Sequence, residues 1–379
     1  MPEAVIVSAL RTPIGTAMKG TLRDTDAYQL AHHVVSAIAA DLDGHPVDDV
    51  ILGEGLYGGG VIARHAALTA GLTNVPGLAQ NRHCAAGQAA AQGAAASIKA
   101  GMDELVIAGG VNSASTSPRF SRIIGGEPAA WFPPTHPDRP DAPNMDMSIT
   151  VGWNAAVKAG VSREEMDAWA LGSHRKAVQA IDEGRFKNEI VPIETPHGLF
   201  EVDEHPRRDT TLEKLAALKP LHPEIEGFSI TAGNACGAND GAAVLAVASD
   251  RLGLPALATV RAWASVGVDP AITGLAPVEA IPKALGRAGL SVGEVDLFEI
   301  NEAFASMCVA TTKLLDIDPD RVNPNGSGCS LGHPVAATGA RMLVTLVHEL
   351  RRRGGGIGVA AMCAGGGMGS ATVIEVPAP

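Results

Sequence analysis

Four places in the 379-residue sequence set a reactive side chain in backbone that leaves it reachable. Cys84 lies between the segment 78–83 and an alanine-rich stretch reaching about residue 100, read as a strand giving way to a helix. At a helix N-terminus the aligned peptide dipoles lower a thiol pKa and favour the thiolate, so Cys84 is a candidate nucleophile, although most cysteines are inert packing. His333, in Gly332-His333-Pro334 and downstream of glycines 326 and 328, could act as base for a thiol. A histidine in such a turn more often only hydrogen-bonds the turn. Cys363 precedes three glycines at a strand end, which leaves its sulfur and the following N–H groups accessible, and such amides can form an oxyanion hole. Its bland reading is a packed thiol. Asn301-Glu-Ala-Phe follows a strand and opens a helix, where Asn301 could be an N-cap and nothing more. All four fall near strand-to-helix turns or strand ends, the edge where α/β sheets bind ligands.

The elements that must position them alternate. Residues 4–10, 104–110, 296–300 and 356–362 read as buried strands, and 28–40, 84–100 and 335–352 as helices, the order of parallel βαβ units. Ala108-Gly-Gly and Ala364-Gly-Gly-Gly are expected at comparable places after the last strand of each half, which points to an internal duplication. Residues 125–147 are dense in proline and polar side chains and read as loop. Ser162-Arg-Glu-Glu is a capping box opening a helix to about residue 183. An excursion of this length commonly carries ligand contacts.

The formal charge of −12, with no basic run longer than Arg351–Arg353, argues against nucleic acid. An anionic ligand still fits at helix N-termini. No apolar run approaches the ~20 residues needed to cross a bilayer, so no membrane partner is expected. Five widely spaced cysteines fit reduced thiols and a cytoplasmic protein. No metal-ligand cluster, Walker loop or dinucleotide fingerprint stands in a usable context, so neither metal nor cofactor is expected.

The ordered motifs resemble the thiolase family over essentially the whole chain: Val5-Ile-Val-Ser-Ala with Arg11-Thr-Pro-Ile-Gly, Asn81-Arg-His-Cys84-Ala-Ala-Gly, Ile230-Thr-Ala-Gly-Asn-Ala-Cys-Gly, Asn301-Glu-Ala-Phe, Gly332-His333-Pro334 and Cys363-Ala-Gly365-Gly-Gly. The resemblance implies an α/β fold of two similar βαβαβ-type halves forming a layered core, residues 1–117 with 228–255 and residues 256–379. A loop domain, 118–227, would lie over the active site. It implies that His333 takes the proton of Cys84, that Cys84 carries the acyl group, and that Cys363 exchanges a proton with the substrate α-carbon. Two oxyanion sites follow by the same resemblance: His333 with a water held by Asn301, and the backbone N–H groups of Cys84 and Gly365. Ala235, Cys236, Met147, Phe304 and Thr273 would line the pantetheine and acyl positions. Acyl-CoA and coenzyme A would be substrates, and the assembly a homodimer or homotetramer.

Several positions depart from the family pattern. Cys236 stands for a serine that hydrogen-bonds pantetheine, Ala86 for a serine, Thr273 for a methionine walling the acyl pocket, and Asp146 for a histidine. The 55–64 stretch, common at the subunit interface, is short and lacks Gly-Gln-Asn. These departures favour a 3-ketoacyl-CoA thiolase, with acetoacetyl-CoA synthesis or a thiolase-like acyl-CoA binding subunit as alternatives. Cys363 and Asn301-Glu-Ala-Phe argue against a decarboxylating ketoacyl synthase.

Overall fold

The computed structural model describes residues 1–55, 57 and 60–378. Of the 55–64 stretch, Leu56, Gly58 and Gly59 lie outside the described residues. Among the described residues one mixed sheet of ten strands forms the core. Its long strands are β1 (Ala4–Arg11), β2 (Asp49–Gly53), β3 (Gly77–Gln80), β4 (Leu105–Ser113), β5 (Asn239–Ser249), β6 (Ala258–Gly267), β7 (Leu297–Ile300), β8 (Gly356–Ala364) and β9 (Met368–Val376). Their order is β7-β8-β9-β6-β1-β5-β4-β2-β3, and the short Gly15–Thr16 strand pairs with β5.

The two halves repeat one plan. In each, the outer strands pair in parallel (β4 with β2 and β2 with β3, β8 with β7) and the inner ones antiparallel (β5 with β4 and β1, β9 with β8 and β6). The place of β3 in the second half is reduced to a parallel bridge between Phe298 and Val322. The halves meet where β1 and β6 pair through Val5 and Ile6 alone. Ala108-Gly109-Gly110 does not follow β4 but lies inside it. A Cβ at Gly109 would sit 2.0 Å from the Ala243 carbonyl oxygen and one at Gly110 2.1 Å from that of Ala336. These glycines mark close backbone approaches rather than a turn.

Helices α1 (Ala27–Asp41), α2 (Ile62–Thr69), α3 (Ala86–Ala100), α4 (Arg163–Asp182), α5 (Ala276–Ala288), α6 (Ala305–Leu314) and α7 (Thr338–Arg353) complete the layers. Alternation along β4 sends Leu105, Ile107 and Val111 to the core under α1 and α2, and Val106 and Ala108 to a central core shared with α3 and α7. α5 and α6 cover the opposite face of the second half. α3 is buried almost all round, which is why it is built from alanine: a helix between a sheet and a second helix has no room for larger side chains. The capping box at Ser162 opens α4 as expected, with Glu165 as its partner.

Residues 125–147 are not wholly loop. Ser121–Ile124 and Glu127–Ala130 form an exposed hairpin closed by Gly125-Gly126, both at left-handed φ. Its strands are mostly exposed, so no alternation of apolar and polar residues announced it.

Arg11 fastens the excursion to β1. Its guanidinium is fully buried, donates from Nε to Glu189 at 2.6 Å and bidentately to Asp203 at 2.8 and 2.9 Å, and lies 5.0 Å from the Phe186 ring centroid. Three buried charges are stable only as a set, because removing one leaves the others unpaired in low dielectric. No described helix is long and apolar enough to cross a membrane. Arg11→Met should cost about 3–5 kcal/mol, read as a lower urea midpoint. Adding Glu189→Gln and Asp203→Asn should recover part of that loss.

Candidate active site

Three residues after β3, the chain turns sharply. His83 adopts a left-handed φ of +47°, the Ala85 N–H donates to the Arg82 carbonyl at 3.0 Å, and the Ala86 N–H donates to that of His83 at 3.0 Å. Such a conformation is strained for a side chain larger than glycine, and here Asn81 holds it by accepting the His83 N–H at 2.9 Å. The turn delivers Cys84 to the start of α3, whose first N–H groups receive no side-chain cap. The backbone N–H groups of Cys84 itself and of Gly365 lie near its sulfur and favour its thiolate. Even so, desolvation of this half-buried residue dominates and raises the thiol above its ordinary value, the two N–H groups pulling the other way. The thiolate expected from the helix terminus is therefore not the resting form; Cys84 needs a base.

His333 is fully desolvated, and burial lowers its pKa to about 3, so the imidazole is neutral. Its backbone N–H donates to Asn239 Oδ1 at 2.9 Å, and Gly332 before it takes a φ of +101°. Nδ1 lies 2.7 Å from the Thr338 hydroxyl, whose proton goes to the Pro334 carbonyl at 3.0 Å. On that network Thr338 accepts from Nδ1–H, which leaves the lone pair on Nε2. Nε2 faces Asn301 Nδ2 at 3.4 Å. Asn301 is buried and its Oδ1 has no partner. It is not an N-cap: α6 starts at Ala305 and its cap is Phe304. The His333 turn meets the Cys84 turn where the Gly87 N–H donates to the Ala336 carbonyl at 2.9 Å.

Cys363 is the last residue but one of β8, and is 2% exposed with its sulfur 3.7 Å from Met307 Sδ. Burial first, then the nearby Cys84 and Cys236, pushes its thiol well above the ordinary range. The accessible sulfur expected from the glycines is thus absent at rest. Gly365 is flanked by Thr135 and Met147: a Cβ there would meet Thr135 Cγ2 at 3.1 Å and Met147 Sδ at 3.8 Å.

The segment around Cys236 is stitched to the Asn301 loop. The Cys236 N–H donates to Ala303 at 2.9 Å, the Ala305 N–H donates to Asn234 at 2.8 Å, and Ala235 bridges Phe304. Burial and the neighbouring Cys84 push the Cys236 thiol up to about 12. Phe304 packs its ring against Gly152, Met147 is half-buried, and Thr273 is 1% exposed with its hydroxyl committed to the backbone.

Sequence reasoning passed over Thr338, Asn239, Met307 and Glu302. The Glu302 carboxylate is a buried hub accepting from Trp169 (2.9 Å), Ser173 (2.6 Å), Asn323 (3.0 Å) and the Cys329 N–H (3.1 Å). Cys308 donates to the Asn301 carbonyl at 3.3 Å. Cys308 and Cys329 thus hold the loop that carries Asn301. Only Thr338, a hydroxyl at the start of a helix after a Gly-His-Pro turn, offered a signal.

A family model for the thiolase N-terminal domain matches residues 4–251, and one for the thiolase C-terminal domain matches residues 254–376. The probable acetyl-CoA acetyltransferase of Escherichia coli (strain K12) is 42% identical over 393 residues, covering 99% of each chain. The crystal structure of the Bacillus anthracis acetyl-CoA acetyltransferase matches with a TM-score of 0.92 at 41% identity, covering 99% of both chains. Human mitochondrial 3-ketoacyl-CoA thiolase in complex with CoA matches at 0.91 and 36%, covering 99% of this chain and 98% of that one. Fold and relatives together define an acyltransferase built on two similar α/β halves. The chain belongs to the thiolase family.

A raised thiol pKa means that the reactive thiolate is scarce at pH 7 and grows as pH rises. In the substrate-free protein, iodoacetamide alkylation of Cys84 should therefore keep accelerating from pH 7 through pH 9. A rate already level below pH 7 would indicate a standing thiolate and contradict the burial argument.

Proposed function

We propose that this chain is an acyl-CoA C-acyltransferase working through a Cys84 acyl-enzyme, cleaving 3-ketoacyl-CoA with coenzyme A and catalysing the reverse Claisen condensation. The observation that carries the reading is the 2.9 Å hydrogen bond from the Gly87 N–H to the Ala336 carbonyl, which joins the Cys84 turn to the His333 turn. The end of β8, with Cys363 and then Gly365, stands near the Cys84 sulfur, and we read the N–H groups of Cys84 and Gly365 as the donors for the developing thioester oxyanion.

In thiolysis the Cys84 proton passes to His333 Nε2 and the sulfur attacks the 3-keto carbon. The new Nε2–H stands ready to donate to the developing oxyanion, beside a water that the unpartnered Asn301 Oδ1 is suited to hold. The bond between C2 and C3 breaks, its electron pair leaves as the acetyl-CoA enolate, and the enolate takes the Cys363 proton. Coenzyme A then gives its thiol proton to the Cys363 thiolate and attacks the acyl-enzyme. Cys84 departs as thiolate and recovers its proton from His333. Burial makes each charge costly until the substrate oxygen arrives to share the donors, so the thiols stay protonated between turnovers.

The relatives' names span acetyl-CoA acetyltransferase and 3-ketoacyl-CoA thiolase. We take the degradative 3-ketoacyl-CoA reaction for this chain, with Met147, Phe304, Ala235 and Cys236 along the substrate and residues 118–227 as the domain over it. Five free cysteines suit a reducing compartment, and we read the protein as a cytoplasmic homodimer or homotetramer.

Intact-mass spectrometry after brief incubation with 3-ketoacyl-CoA esters, followed by peptide mapping, should find the acyl group on Cys84. Cys84→Ala should fold, carry no adduct and lose on the order of 10⁴-fold or more in kcat. Binding of the esters without any adduct in the wild type would replace the enzyme by a binding subunit. Thr338→Val should also lower kcat, by roughly 10- to 100-fold, because it removes the acceptor that keeps the Nε2 lone pair free, and Thr338→Ser should restore most of it. Unchanged turnover in Thr338→Val would reject the tautomer assignment.

A further inference from the structure

The turn after Cys363 contains three successive glycines, two of them at left-handed φ, +85° for Gly366 and +76° for Gly367. Glycine loses the most backbone freedom on folding, so such a turn is loose unless its surroundings hold it. Yet the Gly365 N–H at the Cys84 sulfur must be aimed to within tenths of an ångström to serve a developing oxyanion.

The hold comes from the segment between β6 and α5. The Val268 N–H donates to the Gly367 carbonyl at 2.6 Å. The Gly367 N–H donates to Thr273 Oγ1 at 3.0 Å, and the Thr273 hydroxyl donates onward to the Pro270 carbonyl at 2.7 Å. The one hydroxyl proton is thereby spent, so the oxygen can only accept from Gly367. Thr273 is buried and β-branched, which restricts its rotamer. On the same side a Cβ at Gly367 would stand 2.2 Å from the Val268 carbonyl, so the turn cannot slide toward that segment.

We propose that Thr273 is a positioning residue for the oxyanion site, fixing the Gly365 N–H through its hydroxyl bond to Gly367 rather than by touching the acyl group. This rests on the reading of Gly365 as an oxyanion donor. Its methyl group fills space that valine could fill equally well; the hydroxyl is the functional part.

The test compares full-length wild type, Thr273→Val, which keeps the shape without the hydroxyl, and Thr273→Ser, which keeps the hydroxyl. Three quantities are read: kcat and KM for thiolysis of a 3-ketoacyl-CoA, Cys84 acylation by intact mass, and the pH profile of Cys84 alkylation by iodoacetamide. Thr273→Val should lose on the order of tenfold in kcat, less than deletion of an oxyanion donor, with KM within about twofold. Its alkylation profile should move to higher pH, since a poorly aimed Gly365 N–H supports the thiolate less. Thr273→Ser should return both quantities towards wild type. Wild-type kcat in Thr273→Val, an equal loss in Thr273→Ser, or an effect confined to KM would overturn the proposal, the last assigning Thr273 to the acyl pocket. If Thr273→Val does not fold, Thr273→Ala carries the same comparison. A wild type that forms no Cys84 adduct overturns the thiolase reaction itself, whereas a normal adduct with an unaltered Thr273→Val overturns only the role of Thr273.

Discussion

The hydrogen bond from the Gly87 N–H to the Ala336 carbonyl, 2.9 Å long, joins the first turn of the nucleophile helix to the turn that carries His333. It forms because side chains are missing around it. A Cβ would come within 2.7 Å of Ala336 O at Gly87 and 2.1 Å at Gly110, and a Cβ at Gly339 would come within 2.6 Å of Gln88 Cβ. With those positions open, α3 and α7 start side by side in the central layer, and their N-terminal turns bring a thiol and an imidazole from sequence positions 84 and 333 to one edge. Two buried glutamines complete the join: Gln88 donates to the Ala360 carbonyl at 2.8 Å, and Gln92 to Ser370 and Thr372 at 2.9 and 3.0 Å. A buried amide is costly unless bonded, so these bonds also select the register of α3 on β8 and β9.

Desolvation governs what that arrangement can do. The same burial raises the Cys84, Cys236 and Cys363 thiols and lowers His333, so the centre rests without net charge. In such surroundings a hydrogen-bond donor aimed at an emerging oxyanion acts more strongly than it would in water. The supports around the centre are mostly neutral, hydroxyls of Thr338 and Thr273, the amide of Asn239 and backbone N–H groups, the Glu302 carboxylate behind Asn301 being the exception. Ionisable groups stand further out, in the Arg11 set and in the Arg341–Glu299 contact, where burial pushes Glu299 up to about 8 against the pull of Arg341.

Much of the framework could be read from residue types and order. Strand and helix alternation, the capping box at Ser162, the motif residues and the repeated plan of the halves are local patterns, and local patterns survive folding. Readings that failed did so where the outcome depended on what came to lie opposite. The Gly125-Gly126 hairpin was invisible because its strands have no buried face to impose alternation. Asn301 looked like a cap because three residues more of loop, stitched to the Cys236 segment, separate it from α6.

The sequence by itself determined which groups are available and in what order the elements that bear them occur: a cysteine at the start of an alanine-rich helix, a histidine in a Gly-Pro turn, a second cysteine before three glycines. Only the tertiary structure decided their state and their partners. A thiol pKa depends on how much water is removed and which N–H groups remain, and both are set by chain segments hundreds of positions away. Likewise the tautomer of His333 follows from a hydroxyl proton already given to Pro334, and the aim of the Gly365 N–H from the bond between Gly367 and Thr273. Such facts are sums over neighbours in space, and the linear order of residues does not contain them until the chain has folded.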